Sequence, residues 1–197
     1  MLNSNIFYCD FQEIISKINE LETSSILLVV DENILQLYED QFEEFKSKLH
    51  PKKKIITWTC IYGETTKTIP EYERCVEYFL QEGVNRNSHL IAWGGGATSD
   101  FAGFVAATIL RGINWSVIPT TLLSIIDASI GGKVAVNTRS GKNLIGAFHL
   151  PENIWIDQSF ISTLSKGELT SGQGELIKYL LLSEQIYKKF KDVNQLR

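Results

Sequence analysis

The chain has 197 residues, 44% apolar and 21% charged, an ordinary globular composition that can build a core without disulfide or metal support. Lys and Arg total 19 against 23 Asp and Glu, and the net charge of −4 argues against a dedicated nucleic-acid binder or a polybasic membrane anchor. No apolar run has the length of a membrane span, and residues 1–5 carry neither a basic start nor an apolar signal core. Cys9, Cys60 and Cys75 are odd in number and far apart, which predicts reduced thiols in a cytoplasmic protein.

In chain order, the β-branched run at residues 25–30 predicts a strand buried on both faces, ending at Asp31. Residues 34–49 carry apolar side chains at a helical period. A second strand is predicted over 54–59. Thr68 then offers an N-cap, with Pro70 and Glu71 in the first turn of a helix over 71–81 that Gly83 closes. Residues 89–93 read as a third strand, 101–110 as a helix, 115–118 as a fourth strand and 154–157 as one more. This alternation predicts a Rossmann-like α/β fold, a mostly parallel sheet with helices on both faces. The expected division is an α/β domain over 1–160 and the start of a helical domain over 161–197. A capping-type start at Thr163–Glu168 leads into residues 176–187, apolar nearly all round and so expected to be buried on most sides. With only ten residues after Tyr187, the chain is expected to be the front part of a longer protein, or to depend on a partner for that burial.

The strongest chemical signal is Gly94, Gly95, Gly96, Ala97, Thr98, Ser99 and Asp100, between a predicted strand and a predicted helix. Glycines permit a sharp turn and close approach, and the helix start behind them offers free N–H groups to a phosphate. A glycine-rich turn without a ligand is the alternative. The second signal gathers Asp127, Gly131, Gly132, Lys133, Asn137, Lys142 and Asn143, with Arg111 ending the preceding helix. Such cations and amides suit a small substrate's phosphate or carboxylate, although a polar surface hairpin would read the same way. The third is Glu175 with Lys178, one helix face apart by three residues. An exposed ion pair is the plain reading, and the apolar surroundings argue for coordination or catalysis. His50, His89 and His149 do not pair at metal spacing.

The block from Gly94 to Phe104 with Leu110, Arg111 and Gly112 resembles the glycine loop of 3-dehydroquinate synthases. Residues 118–123, 131–133, 136–137 and 141–148, Thr163 with Leu164, and 174–179 are similar to further blocks of that family. The resemblance implies tightly held NAD, a divalent metal (zinc or cobalt), a homodimer, and conversion of the phosphorylated sugar acid DAHP to 3-dehydroquinate with loss of phosphate. It implies that Asp31 meets the adenosine ribose and that Gly63, Glu64 and Lys67 contact nucleotide. Gly94 to Asp100 would hold pyrophosphate and ribose, and Thr120 and Thr121 the nicotinamide side. Asp127, Lys133, Lys142 and Asn143 would serve cofactor and substrate, Arg111 the substrate phosphate, and Phe160, Ile161, Ser162 and Thr163 another NAD-contacting turn. Glu175 would be the first metal ligand and Lys178 a substrate contact. Ser165, Gln173 and the Ala97-Thr98-Ser99 run depart from the usual family residues. They keep sister cyclases that make deoxyinosose or valiolone rings, and a glycerol-dehydrogenase-like oxidoreductase, as alternatives.

Overall fold

A computed structural model describes residues 4–195; the expectations resting on Met1–Asn3 and on Arg197 lie outside the described residues. The elements run β1 (Asn5–Tyr8), α1 (Phe11–Glu20), β2 (Ser25–Asp31), α2 (Glu32–Leu37), α3 (Glu39–Lys48), β3 (Lys54–Cys60), α4 (Ile69–Gln81), β4 (Ser88–Gly94) and α5 (Gly96–Thr108). There follow β5 (Asn114–Pro119), a π turn (Ser124–Ala128), β6 (Lys133–Thr138), β7 (Gly141–Phe148), β8 (Asn153–Ile156), α6 (Lys166–Leu182) and α7 (Glu184–Gln195).

Six strands form one sheet in the order β1-β8-β5-β4-β2-β3. Every pairing in it is parallel. The two-residue period of a strand sorts β2 between the faces. Leu27 and Val29 pack with Phe79 of α4 and with α5, while Ile26, Leu28 and Val30 pack with α1 and with Phe45 of α3. Helices on both faces make the predicted Rossmann-like sandwich. From β2 the chain steps outward to β3, then returns past β2 to β4. A crevice opens at such a reversal, outside the carboxyl ends of the strands, and ligands bind there in open α/β sheets.

Several predicted elements need correction. The single helix over 34–49 is two, α2 and α3, broken at Tyr38 (φ −131°, ψ 38°). Tyr38 turns edge-on to Phe160, ring centroids 4.9 Å apart, and a tertiary contact overrides the helical period. The helix expected from Phe101 begins at Gly96, so Gly96 to Asp100 are helix rather than loop. β1 and α1 were not anticipated, and β6 with β7 form the antiparallel hairpin that had been read only as an alternative to a site.

The apolar helix over 176–187 is divided at Ser183, and the described residues do not supply the burial that was expected to come from a longer protein or a partner. Leu181 is 82% and Leu182 74% exposed, with Ile177, Ile186 and Tyr187 also open. No helix among the described residues is long and apolar enough to cross a membrane.

Candidate functional site

The crevice at the strand ends is a cleft of about 700 Å³, within the range of small-molecule sites. Asp31 closes β2, where it is buried. Its Oδ1 accepts from the Asn33 N–H at 2.9 Å, and the Thr98 hydroxyl donates to Oδ2 at 3.3 Å. Burial pushes its carboxyl above the usual range, and those two donors oppose the shift.

At the centre, β4 runs into α5 through the glycines. None of the three adopts a positive φ, so a sharp turn is not their purpose. Close approach is. A Cβ on Gly94 would sit 2.8 Å from Thr98, one on Gly95 3.0 Å from Thr121 Cγ2, and one on Gly96 3.3 Å from Ala128. Gly95 is the helix cap and gives no side-chain hydrogen bond, leaving the first N–H groups of α5 for a ligand. Gly95, Gly96, Ala97, Thr98 and Asp100 line the cleft, whereas Gly94 ends the strand and Ser99 is buried against Gly95 O and Ser124.

Gly63 and Glu64 open a short 3-10 turn, and Lys67 follows it, 1% exposed. Its ammonium lies 2.6 Å from Asp100 Oδ2 and 2.6 Å from Asn143 Oδ1, with Glu64 at 3.8 Å. Asn143 reaches it from β7 with a left-handed backbone, φ 58°. Burial raises the Asp100 carboxyl above its ordinary range, and the Lys67 hydrogen bond and charge pull it back. The Asn137 amide donates to Glu64 Oε2 at 2.9 Å, and Lys142, 72% exposed, approaches the same oxygen at 3.8 Å.

Asp127, in the π turn, faces both this cleft and a second one of about 510 Å³. Asp100 and Asn143 stand on the same shared wall, and Lys133 lines the second cleft. The Tyr179 hydroxyl donates to Asp127 Oδ1 at 2.7 Å, which holds that phenol above its ordinary pKa. Thr120 and Thr121 lie beyond the end of β5 in the first cleft, which Phe160 and Thr163, from the turn after neighbouring β8, also line. Ile161 instead packs toward the core, and the Ser162 hydroxyl donates to Ser159 O.

Some predicted members do not join the cluster. Arg111 follows the C-terminal end of α5, about 20 Å of helix from the glycines, so it cannot add its guanidinium to this chain's own cleft. Lys178 pairs with Glu175 at 2.6 Å; Glu175 is 18% exposed but Lys178 57%, so the pair is open to solvent on the cation's side and the argument from the cost of burying it weakens. Among the described residues no group of three or more His, Cys, Asp or Glu could hold a metal. His149 does not face a cleft: it stacks on Trp115, with Nε2 3.0 Å from Ile113 O. Sequence reasoning missed Tyr62, Glu168 and Ser171 as lining residues. Only the capping spacing of Ser165 and Glu168 marked any of that wall, and it marked a helix start.

The model of the family described as 3-dehydroquinate synthase N-terminal matches residues 57–171. The 3-dehydroquinate synthase of Staphylococcus aureus (strain JH9) is 43% identical over 180 residues, which is 89% of this chain and 49% of that protein. The chain thus spans about half the length of the curated relatives it matches. Among solved structures, a 2-deoxy-scyllo-inosose synthase in complex with carbaglucose-6-phosphate, NAD+ and Co2+ superposes with a TM-score of 0.81 at 27% identity. That match covers 90% of this chain and 49% of the other. A 2-epi-5-epi-valiolone synthase from Streptomyces hygroscopicus subsp. jinggangensis 5008, with NAD+ and Zn2+ bound, gives 0.76 at 27% over 90% and 49%. Glycerol dehydrogenase from Schizosaccharomyces pombe shares the fold, with a TM-score of 0.70 at 19% identity over 92% and 44%.

Proposed function

The chain belongs to the 3-dehydroquinate synthase family, and from that premise we propose that it is the NAD-holding part of a 3-dehydroquinate synthase. Such an enzyme is a phosphorus–oxygen lyase that turns DAHP into 3-dehydroquinate plus phosphate, on the shikimate route to chorismate and the aromatic amino acids. One observation carries the reading. A single cleft sets Asp31, the open N–H groups at the start of α5, and Thr120 with Thr121 in line across the ends of β2, β4 and β5. That order matches ribose, pyrophosphate and nicotinamide.

The residues fit NAD: the glycine backbone can touch a pyrophosphate, and no side chain caps the helix start. When bound, NAD supplies the hydride exchange that makes a ketone of a substrate alcohol, acidifying the neighbouring C–H so that phosphate can leave by β-elimination. Asp31 accepts from the adenosine ribose hydroxyls. Gly63, Glu64 and Lys67 shape the turn beside them, and Asp100 serves the second ribose. Lys133 and Asn143 hold the substrate's anionic groups along the second cleft, exposed Lys142 adds a cation from beside Glu64, Lys178 would turn from Glu175 to the substrate, and Phe160 and Thr163 line the first cleft. Asp127, with Oδ1 engaged by Tyr179, presents Oδ2 to a substrate hydroxyl. The described residues do not fit a metal site. Glu175 is one candidate ligand for zinc or cobalt, and others would come from sequence matching the half of the relatives that this chain does not span. We place the protein in the cytoplasm as a homodimer, with α6 opening a helical domain.

A second reading is a sister cyclase of the deoxyinosose or valiolone type, favoured by the superpositions at 27% identity. The 43% identity to 3-dehydroquinate synthase favours the first. The test is phosphate release by the gene product. Release from DAHP supports the synthase, while release only from a sugar phosphate that lacks a carboxylate replaces it with a sister cyclase.

A further inference from the structure

We propose that Tyr62 and Glu168 form a latch across the nucleoside end of the main cleft, one that retains a bound nucleotide by tying the turn after β3 to the start of α6. The inference rests on the nucleotide reading given above and adds to it the step that governs release.

The two residues come from opposite walls of the cleft. Tyr62 stands two residues past the end of β3, at the edge of the sheet beyond Asp31. Its N–H donates to Glu32 Oε1 at 2.9 Å, which fixes the turn to the start of α2. Its hydroxyl donates to Glu168 Oε1 at 3.4 Å, across the mouth of the cleft that both residues line. Glu168 is itself oriented, because its other oxygen accepts from the Ser165 N–H at 2.9 Å in a capping box.

A second tie, the inner one because Phe160 beside it is buried, joins Thr163 to the break between α2 and α3. The Tyr38 hydroxyl is 2.6 Å from Thr163 Oγ1, and Tyr38 is pinned edge-on to buried Phe160. The residues between Thr163 and Glu168 therefore form a strap held at both ends by tyrosine hydroxyls from the β2–β3 side. The ties differ in strength. The inner one has ordinary hydrogen-bond length, whereas the outer one is stretched and its tyrosine is 49% exposed. A firm inner tie and a weak outer one make the outer tie the part that opens first. The Glu168 charge raises the Tyr62 phenol above its ordinary pKa, so the donor keeps its proton at neutral pH.

The ligand chemistry agrees with the place. A nucleoside base next to a ribose on Asp31 lies over the ends of β2 and β3, beneath Tyr62. There the ring offers an aromatic face, and its hydroxyl blocks the way out. The test uses reduced NAD as probe, its fluorescence reporting the bound state in stopped flow. Tyr62→Phe keeps the ring and removes only the hydroxyl. Release should be about two- to tenfold faster, with association unchanged, as for loss of one hydrogen bond. Glu168→Gln added to Tyr62→Phe should bring little further acceleration. Unchanged release in Tyr62→Phe overturns the latch and leaves nucleotide binding intact. Failure of the unsubstituted chain to bind reduced NAD overturns both.

Discussion

The Lys67 ammonium lies 2.6 Å from the Asp100 carboxylate, although the two are 33 positions apart. This pair joins the turn after β3 to the start of α5, and Asn143 extends it to the hairpin. The three segments that carry the candidate chemistry thus meet on one buried cation. The Asn137 N–H, which donates to Lys67 O at 2.6 Å, adds a backbone link between the same turn and the hairpin.

Removing that cation should cost more than a surface ion pair. Lys67→Met leaves Asp100, 22% exposed, without its partner in a mostly buried place. Breaking a buried pair from one side costs about 3–5 kcal/mol, and the partial exposure of Asp100 reduces this to about 2–3 kcal/mol. Urea unfolding of Lys67→Met measures the loss, and Asp100→Asn added to it should restore part. A loss under about 0.5 kcal/mol would mean that the pair does not hold the segments together.

Acid should weaken the fold through His89. Burial, with the Lys53 charge adding to it, lowers its imidazole from 6.5 to about 4. Glu152 at 3.9 Å does not make an ion pair with a neutral ring. The folded form therefore stays neutral while the unfolded chain takes up a proton. Stability attributed to His89 is full above about pH 6.5 and falls as pH drops toward 4, by up to about 3 kcal/mol. The Ser116 hydroxyl, 2.8 Å from Nε2, is the hydrogen-bond partner that a glutamine can keep. His89→Gln should flatten the pH dependence of urea unfolding between 6.5 and 4; an unchanged slope removes His89 from the explanation.

The 197-residue chain should not turn over DAHP by itself, even with NAD and zinc added. A catalytic zinc takes about three protein ligands, and Glu175 already pairs with Lys178 at 2.6 Å. Phosphate release by the isolated chain at the rate of a complete synthase would require ligands that the described residues do not assemble.

Five of the six sheet strands were legible because they are short apolar runs between helices that carry caps such as Thr68 and Ser165, while the mostly exposed edge strand β1 gave no such run. The hairpin was legible only as an alternative to a site, since β7 mixes Lys142 and Asn143 with exposed Leu144 and Phe148 and shows no alternation that a core enforces. The α2–α3 break was hidden because its cause, Phe160, lies far along the chain. At the site, the glycines announced a ligand loop, yet their reason is close contact with Thr98, Thr121 and Ala128, which no local pattern reveals. Arg111 was read as near the cluster because it is near in sequence; a helix of 13 residues carries it to the far end. Tyr62 carried no signal and Glu168 only that of a helix cap, because a cleft wall made by a turn and a helix start exists only once the fold brings them together.

The most direct test of nucleotide binding is a calorimetric titration of NAD into the unsubstituted chain and into Gly95→Val. A valine there sets Cβ 3.0 Å from Thr121 Cγ2 and crowds the backbone that a pyrophosphate would approach. Saturable one-to-one binding by the parent, weakened at least about tenfold in Gly95→Val, is the expected result. Absence of saturable heat in the parent, or equal affinity in the two proteins, would contradict the assignment of this cleft to NAD.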